Sequence, residues 1–374
     1  MKIQVKSKAI KNLNKTSILQ QTAFWAQVKQ KHGIGSKAFD VKVNASDLYA
    51  TSIRQDYILD DLLILFPSID HNYKIGYVPY GPTIKPGEEN QGLFLEELSE
   101  SLLPYLPPKC LMLRYDLLWQ SPWAKDDFYF NENGDWIGPP SKVNQEIRLN
   151  FETQKWNLKK ANTNILPSDT IFLDLKKDVD QLLNEMKPKT RYNVNLSQRK
   201  GVKVRRADIH DLDIWYKLYE ETCTRNGMYL HTIEYFHAVL ATKISDAKSP
   251  AEVELLIAEI NNIPLAAMFL VFSGQRATYL YGASSSMKRN YMPTYSLQWH
   301  AIKRAKNRGC TEYDMFGVAP KPDHAHPLYG LYRFKKGFGG NLFHRMGCWD
   351  YPLNAGIYKR YLAAEMTSQG FHLH

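Results

Sequence analysis

Hydrophobic and polar residues follow two different periods along this chain, and together they predict a mixed α/β protein. Apolar residues recur at helical spacing over residues 90–103 and again over residues 295–308. Between residues 253 and 281, three apolar segments are separated by short polar turns, which is typical of an antiparallel strand meander. The pattern therefore predicts helices packed against at least one sheet.

The N-terminal half predicts a short helix over residues 20–29 and a carboxylate at the end of a strand. An apolar run leads directly to Asp116, so we expect a buried strand that opens into a loop at this residue. Asp116 could instead pair with Arg114 or cap a turn. Residues 121–168 are polar and weakly patterned, and we expect an irregular excursion that leads to a domain boundary.

A basic helix is predicted near the start of the C-terminal half, beginning at Pro188. Lys187, Arg191 and Arg199 are spaced by multiples of four, so they share one helix face, and Lys200 lies nearby. Such a face is either solvated or a contact for nucleic acid. The elements of this half run strand, helices, antiparallel strands, helix and strand, which is the order of an N-acetyltransferase-like α/β fold.

Length and composition narrow the class of protein. A chain of 374 residues fits two domains of ordinary size. Its formal charge of +10 and pI near 9.1 favour polyanionic partners such as nucleic acid, nucleotide diphosphates or anionic lipid headgroups. The four cysteines are widely spaced, which fits a reducing cytoplasm. We see no signal peptide and no apolar run long enough to span a bilayer, so any membrane contact would be peripheral.

The stretch around Lys335 is the most distinctive of the chain. Aromatic and apolar residues alternate there with two lysines, and three glycines follow, so a cation has an apolar frame beside accessible backbone. Such a cation can be directed at a reacting oxygen. The alternative is a half-buried amphipathic strand whose lysines are solvated.

Two other features suggest different chemistry. The stretch from Gln30 to Gly35 matches a short coenzyme A pyrophosphate pattern, Q-x-x-G-x-G. It follows a predicted helix and precedes a predicted strand over residues 38–43, which is the wrong order for that motif. His324 and His326 lie close together in a predicted loop, but we expect neither a metal nor a cofactor.

The sequence resembles the Fem (FemABX) peptidyltransferases, which use aminoacyl-tRNA to add amino acids to the stem peptide of peptidoglycan precursors. The likeness extends over most of the chain and depends on the order and spacing of short blocks. The blocks are Trp25-Ala26-Gln27-Val28-Lys29, Tyr80-Gly81-Pro82, Leu113-Arg114-Tyr115-Asp116, Lys189-Thr190-Arg191-Tyr192-Asn193 with Arg199-Lys200-Gly201-Val202, Ile233-Glu234-Tyr235-Phe236, Tyr279-Leu280-Tyr281-Gly282-Ala283-Ser284, Gln298-Trp299, Tyr313-Asp314-Met315-Phe316-Gly317 and Leu331-Tyr332-Arg333-Phe334-Lys335-Lys336-Gly337-Phe338.

The resemblance implies an α/β fold of two acetyltransferase-like domains with mixed sheets flanked by helices. The first domain would comprise residues 1–168, completed by a returning segment over 342–374, and the second would comprise residues 169–341. Some family members carry a long coiled-coil arm in the second domain. The chain between Tyr235 and residue 253 is too short for one, so we expect a compact protein.

The resemblance also implies roles for particular residues. Lys335 matches a lysine thought to stabilise the negative oxygen of a tetrahedral intermediate, and Asp116 matches a carboxylate near the acceptor amine. The precursor's UDP-sugar or lipid pyrophosphate would lie in a cleft lined by Lys29, Tyr235 and Tyr281. His231 occupies a position where the family usually has arginine, which predicts a weaker hold on phosphate at neutral pH.

The function so implied is transfer of an amino acid from aminoacyl-tRNA to UDP-MurNAc-pentapeptide or lipid II, with Lys187, Arg191, Arg199 and Lys200 as tRNA contacts. Two alternatives remain open: another acyl donor such as acyl-CoA, or a non-catalytic protein that binds RNA or precursor. The amino acid, the number added, the acceptor diamine and the oligomeric state are not predicted.

Overall fold

The computed structural model describes residues 1–49 and 56–367, with side chains described to residue 365. The end of the predicted returning segment, 368–374, lies outside the described residues. The strands are β1 (Ile3–Lys8), β2 (Gly35–Asn44), β3 (Tyr57–Phe66), β4 (Lys74–Val78), β5 (Cys110–Gln120), β6 (Lys159–Lys160), β7 (Asp169–Asp174), β8 (Lys203–Ala207), β9 (Ala251–Ile260), β10 (Ile263–Ser273), β11 (Arg276–Ser284), β12 (Glu312–Asp314) and β13 (Asn341–Pro352).

Helices cover the sheet and connect its strands. No helix in the described part of the chain is longer than 15 residues, so this part contains no long coiled-coil arm. No described helix is long and apolar enough to cross a membrane. The helices are α1 (Ala23–Gln30), α2 (Ala45–Leu48), α3 (Gln91–Leu102), α4 (Lys142–Asn150), α5 (Val179–Asn184), α6 (Pro188–Arg199), α7 (Leu212–Asn226), α8 (Ile233–Ala241), α9 (Pro293–Asn307), α10 (Tyr329–Lys336) and α11 (Ala355–Thr367).

The described strands form one continuous mixed sheet in the order β1-β2-β3-β4-β5-β13-β7-β12-β11-β10-β9-β8, with β6 paired to β13. Each half of the sheet contains one parallel pair connected by a helix: β4 and β5 through α3, and β11 and β12 through α9. Because each of these pairs stops being hydrogen-bonded part-way along its strands, each half has an opening between two parallel strands. This is an acetyltransferase-like arrangement, and the predicted fold class is confirmed.

Strand β13 joins the two halves. It pairs antiparallel with β5 of the N-terminal half and with β7 of the C-terminal half. The C-terminal part of the chain therefore returns to the first half through this strand. The proposed division at residues 168/169 and 341/342 stays a prediction.

Buried apolar residues form three clusters. One lies within the N-terminal half around Phe94 and Trp119, and one lies within the C-terminal half around Trp299 and Tyr313. The third combines residues of both halves, including Phe24 from α1 and Trp215 from α7. The contact between the halves is thus an apolar core, which favours a fixed relative position for groups on either side.

Three local predictions were wrong. Strand β5 does not open at Asp116 but continues for four more residues, and Arg114 pairs with Asp350 and Glu365 instead. The excursion over 121–168 contains α4 and β6. The stretch around Lys335 is a helix, not a strand, because Tyr332 and Lys335 lie three positions apart on its buried face.

The other elements named above agree with the prediction in type and position, with ends shifted by a few residues. For example, β11 extends to Ser284, three residues beyond the predicted end of the strand meander. The segment from Gln30 to Gly35 lies between α1 and β2, as expected, so it does not have the strand-to-helix context of a coenzyme A motif.

Candidate active site

Lys335 lies in the last turn of α10 with its ammonium group directed into the opening between β11 and β12. Only 4% of the residue is exposed. Its Nζ donates to the carbonyl oxygens of Gly317 at 2.8 Å and Phe316 at 3.3 Å, and it lies 5.0 Å from the ring centroid of Tyr279. An ammonium group has three N–H donors, so these two carbonyls leave one for a substrate oxygen.

The charge of Lys335 is sensitive to its surroundings. Burial lowers its pKa to about 7, and the negative charge of Asp314 acts in the opposite direction. Asp314 is itself buried, and its Oδ1 accepts hydrogen bonds from the hydroxyl of Thr170 and from the backbone N–H of Phe316. The same turn, Asp314 to Gly317, therefore provides both the carboxylate and the carbonyl groups that surround this cation.

Asp116 occupies the matching position in the N-terminal half, beside the opening between β4 and β5. The residue is fully buried, and its Oδ2 accepts hydrogen bonds from the Leu166 N–H at 2.9 Å and the Tyr77 hydroxyl at 3.0 Å. Its Oδ1 is buried and has no hydrogen-bond partner among the described residues. Burial raises the pKa of this carboxyl group, although the hydrogen bonds from Leu166 and Tyr77 and the nearby thiol of Cys348 lower it. The open oxygen is a ready acceptor for a substrate N–H.

Arg345 on β13 interacts electrostatically with both aspartates. Its Nη2 lies 3.8 Å from Oδ2 of Asp314, and its positive charge lowers the pKa of Asp116. Its guanidinium stacks over Tyr80, 4.5 Å from the ring centroid, and Arg345 and Tyr80 both donate to the carbonyl of Pro167. The two strand openings are thus connected by one buried network of charged and polar groups.

The four predicted precursor-binding residues also come together. The hydroxyl groups of Tyr235 and Tyr281 are 2.8 Å apart. The Nζ of Lys29 lies 5.1 Å from the ring centroid of Tyr235, and the ring of His231 stacks on the same tyrosine at 4.6 Å. His32, which was not predicted, also contacts the Tyr235 ring. The four residues therefore lie together, while the cleft itself and its role in binding stay predictions.

A β-bulge in β11 separates this group of residues from Lys335. The pairing register between β10 and β11 shifts by one residue at Phe269 and Leu270. As a result, Tyr279 packs in the core that contains Leu270, whereas Leu280 and Tyr281 pack in the core that contains Phe269. Tyr279 contacts Lys335 on one face of the sheet, and Tyr281 contacts Tyr235 on the other. Bulges redirect side chains in this way beside active sites.

The predicted tRNA contacts lie around α6, with one correction. Lys187 is the residue before the helix rather than part of it, since the helix begins at Pro188. Arg191 donates to the carbonyl of Asn184, Arg199 stacks over Tyr192, and Lys200 donates to the carbonyl of Asn290. The backbone N–H of Lys187 donates to the carbonyl of Gly337, so the start of α6 adjoins the end of α10, close to Lys335.

Sequence reasoning missed Asp314, Arg345 and Tyr279 as members of the site. Asp314 had a signal, because Tyr313-Asp314 repeats the Tyr115-Asp116 pair at the corresponding strand of the other half. Arg345 had none, since its position depends on how β13 crosses between the halves. Within the described ranges no group of three potential metal ligands occurs.

The fold and this site define a protein of two acetyltransferase-like halves, with a buried carboxylate at one strand opening and a buried lysine at the other. The chain belongs to the FemAB family: the family's sequence model matches residues 9–261 and 243–366. The predicted family resemblance is therefore confirmed.

Individual relatives are more distant. The lipid II:glycine glycyltransferase of Staphylococcus aureus (strain USA300) is 27% identical over 257 residues, which cover 52% of this chain and 61% of that protein. The protein of the same name from strain NCTC 8325 / PS 47 matches to the same extent. The match thus spans less than two thirds of the length of these curated relatives. The crystal structure of FemX shares the fold, with a TM-score of 0.69 at 20% identity, covering 94% of this chain and 96% of that one.

Proposed function

We propose that this protein is an aminoacyltransferase that moves an amino acid from aminoacyl-tRNA to an amine on the stem peptide of a peptidoglycan precursor. The observation that carries the proposal is the pair formed by buried Lys335 and buried Asp116 at the two strand openings. Membership of the FemAB family supports it, and so does the name of the relative, which transfers glycine to lipid II.

The chemistry requires two groups of opposite character. When the acceptor amine attacks the aminoacyl ester, the carbonyl oxygen becomes negative and the amine nitrogen becomes positive. Protonated Lys335 stabilises that oxygen, and Asp116 accepts a hydrogen bond from the amine through Oδ1 and orients it. The new amide bond forms as the ester oxygen of the tRNA ribose leaves. The amine proton passes to Asp116 or to this leaving oxygen, so no nucleophilic side chain is needed.

The donor is assigned on charge and proximity. Lys187, Arg191, Arg199 and Lys200 form a basic surface along α6, and the start of this helix lies beside the end of α10. An RNA backbone bound there would bring its 3′ end towards Lys335. Neutralisation of several phosphates by such a surface makes binding dependent on salt.

The acceptor is assigned to the cleft around Lys29 and Tyr235. Lys29 provides a positive charge for a pyrophosphate, and the neighbouring rings provide flat apolar contacts for a sugar or base. A UDP-linked and a lipid-linked precursor share this pyrophosphate. We assign the reaction to the cytoplasm or the inner membrane face, because charged tRNA is a cytoplasmic molecule.

The test is a transfer assay with a pool of tRNAs charged with radiolabelled amino acids. UDP-MurNAc-pentapeptide and lipid II are offered in parallel as acceptors, and Lys335→Ala is run beside the wild type. We expect labelled product from one of the acceptors with the wild type and a loss of at least about 10²-fold with the variant.

The assay also separates the alternatives. Absence of product with either acceptor, despite binding of charged tRNA, would contradict the proposed acceptor. Product formed from acyl-CoA in the absence of tRNA would contradict the proposed donor. Equal product from the wild type and Lys335→Ala would contradict the role of this lysine.

A further inference from the structure

A cavity lies close to Asp116, and none of the predicted precursor-binding residues lines it. It has a volume of about 280 Å³ and is formed where the segment 121–168 folds against β13. Indole rings of Trp123, Trp136 and Trp349 form part of its wall. None of the groups to which the proposed reaction has been assigned lines this cavity.

The indole rings of the wall are mostly covered. Trp136 and Trp349 are 7% and 1% exposed. The ring of His344 stacks on Trp136 with centroids 4.0 Å apart, and the guanidinium of Arg148 lies over Trp123. Little ring face is left to stack a nucleobase, whereas small apolar groups can still pack against ring edges.

Positive charge dominates the cavity. Lys160 and Arg345 line its inner part, and exposed Lys321 lies at its rim. Neither Lys160 nor Lys321 takes part in an ion pair with another described residue. Each of the two acidic residues of the lining already has a hydrogen-bonded partner. Glu88 pairs with Lys125 and Arg148, and Asp169 pairs with His344.

Lys160 is the most informative of these cations. It is half-buried, and its Nζ donates to the backbone carbonyl of Cys348 at 3.0 Å. Burial lowers its pKa, and the negative charge of Asp116 acts in the opposite direction. A buried cation without a paired carboxylate is costly unless an anion completes its environment.

One segment connects this cavity to the proposed acceptor site. The backbone N–H of Leu166 donates to Asp116, while Asn164 and Ser168, two residues to either side, line the cavity. In addition, Cys348, which accepts from Lys160, pairs with Asp116 across β13 and β5. A ligand extended from Asp116 into the cavity would therefore follow this segment.

We propose that the cavity binds the free carboxylate end of the acceptor's peptide, with Lys160 and Arg345 as its ionic contacts. The inference rests on the proposed function, since it requires a peptide acceptor whose amine lies at Asp116. A peptide terminus with small side chains matches both features of the site, cations at the inner part and apolar ring edges around them. The cavity would thus recognise the length of the peptide and its free end.

The test is a binding measurement that does not depend on transfer. Isothermal titration compares UDP-MurNAc-pentapeptide with its C-terminal amide, using the wild type, Lys160→Gln and the matched control Lys159→Gln. Lys159 is the adjacent residue of β6, but it pairs with Glu146 and does not line the cavity. We expect the wild type to bind the free carboxylate about 10- to 100-fold more tightly, which is typical of a hydrogen bond to a charged group.

Lys160→Gln should lose most of this preference and bind the two ligands alike, whereas Lys159→Gln should keep it. If Lys160→Gln does not fold, as judged by its thermal transition, Lys321→Gln at the exposed rim serves as the second variant and should reduce the preference in part. Equal affinity of the wild type for acid and amide would overturn the proposal. So would a CCA trinucleotide that competes with the peptide and loses its affinity in Lys160→Gln, because the cavity would then bind RNA.

Failure of this inference is distinguishable from failure of the proposed function. Transfer to both the acid and the amide with equal binding would leave the aminoacyltransferase proposal intact and remove the carboxylate site. A clear preference for the acid without any transfer would support the site and contradict the enzymatic proposal.

Discussion

The two strand openings are built alike but differ in the charge they present. In the N-terminal half the last parallel pair is Val78 with Tyr115, and Asp116 follows directly. In the C-terminal half the last parallel pair is Thr278 with Asp314. Both openings thus contain a tyrosine followed by a buried aspartate, but in the second opening a buried lysine, Lys335, also donates to the carbonyl groups of the turn that follows the aspartate.

This difference shows how one scaffold produces two chemical environments. Asp116 has a hydroxyl and an N–H as partners, and burial raises its pKa. Asp314 lies near Arg345 and Lys335, and there burial lowers the pKa of the lysine to about 7. Burial therefore raises the pKa of an acid at one opening and lowers the pKa of an amine at the other, so both groups can exchange protons closer to neutral pH.

The largest expected effect comes from removing the cation of the second opening. Lys335→Ala should reduce turnover by about 10²- to 10³-fold, as loss of one oxyanion donor does, with little change in precursor affinity. Single-turnover transfer and equilibrium binding measure the two quantities separately. The control is Lys336→Ala, because the neighbouring lysine donates instead to the carbonyl of Gly340. A variant impaired only in precursor affinity would contradict the proposed role.

Removing the charge of the first opening should have a smaller effect. Asp116→Asn keeps the shape of the side chain but removes the carboxylate, and we expect a loss of turnover between about 10- and 10²-fold. The loss should be greatest at a pH where the wild-type carboxyl is ionised. Single-turnover rates across pH provide the test. An unchanged rate at every pH would mean that the two openings do not share the reaction.

Most of the fold could be predicted because its elements are strongly periodic. Helices α3, α7 and α9 have apolar residues at helical spacing, and the meander β9 to β11 has clear turns between its strands. The segment 121–168 could not be predicted, because α4 is largely polar and buries few of its residues. Its position depends on contacts with α3 and β13 that lie far away in the sequence.

The candidate site was predictable only in part. Lys335 and Asp116 were singled out from the local sequence pattern, and the family resemblance then implied their roles. The alternative of a strand at Lys335 and the expected end of a strand at Asp116 were both wrong. In α10 the lysine Lys335 lies on the buried face, where an apolar residue is expected. Because lysine is usually exposed to solvent, the sequence pattern does not predict this burial. The opposite orientation of Tyr279 and Tyr281 depends on a bulge, which the alternating pattern of a strand does not predict.

The pH dependence of turnover tests the charge at the second opening. Lys335 must be protonated to stabilise an oxyanion, so turnover should fall as pH rises through about 7. The negative charge of Asp314 raises the pKa of this lysine, and Asp314→Asn should therefore move the alkaline limb of the rate profile to lower pH. At pH 7 the expected loss of turnover is a few-fold.

The matched control for this variant is Glu312→Gln on the same strand, whose carboxylate pairs with Arg276. Rate profiles and thermal transitions are compared for the three proteins. A limb that stays in place in Asp314→Asn, with the fold intact, would show that Asp314 does not control the charge of Lys335.

The smallest expected effect concerns which half receives the RNA. If α6 contacts the RNA, the double variant Arg191→Gln, Arg199→Gln should weaken binding of charged tRNA by about 3- to 10-fold at moderate salt. The slope of log affinity against log salt concentration should also become shallower, by roughly 0.7 to 0.9 for each lost contact. The control removes two exposed charges at and just before β1 of the first half, with Lys2→Gln and Lys6→Gln. Since only the second opening carries the lysine that would face the aminoacyl ester, this control should leave affinity unchanged. If both double variants lose the same affinity for charged tRNA, the RNA binds through the overall positive charge of the protein. The tRNA contact would then not be specific to α6.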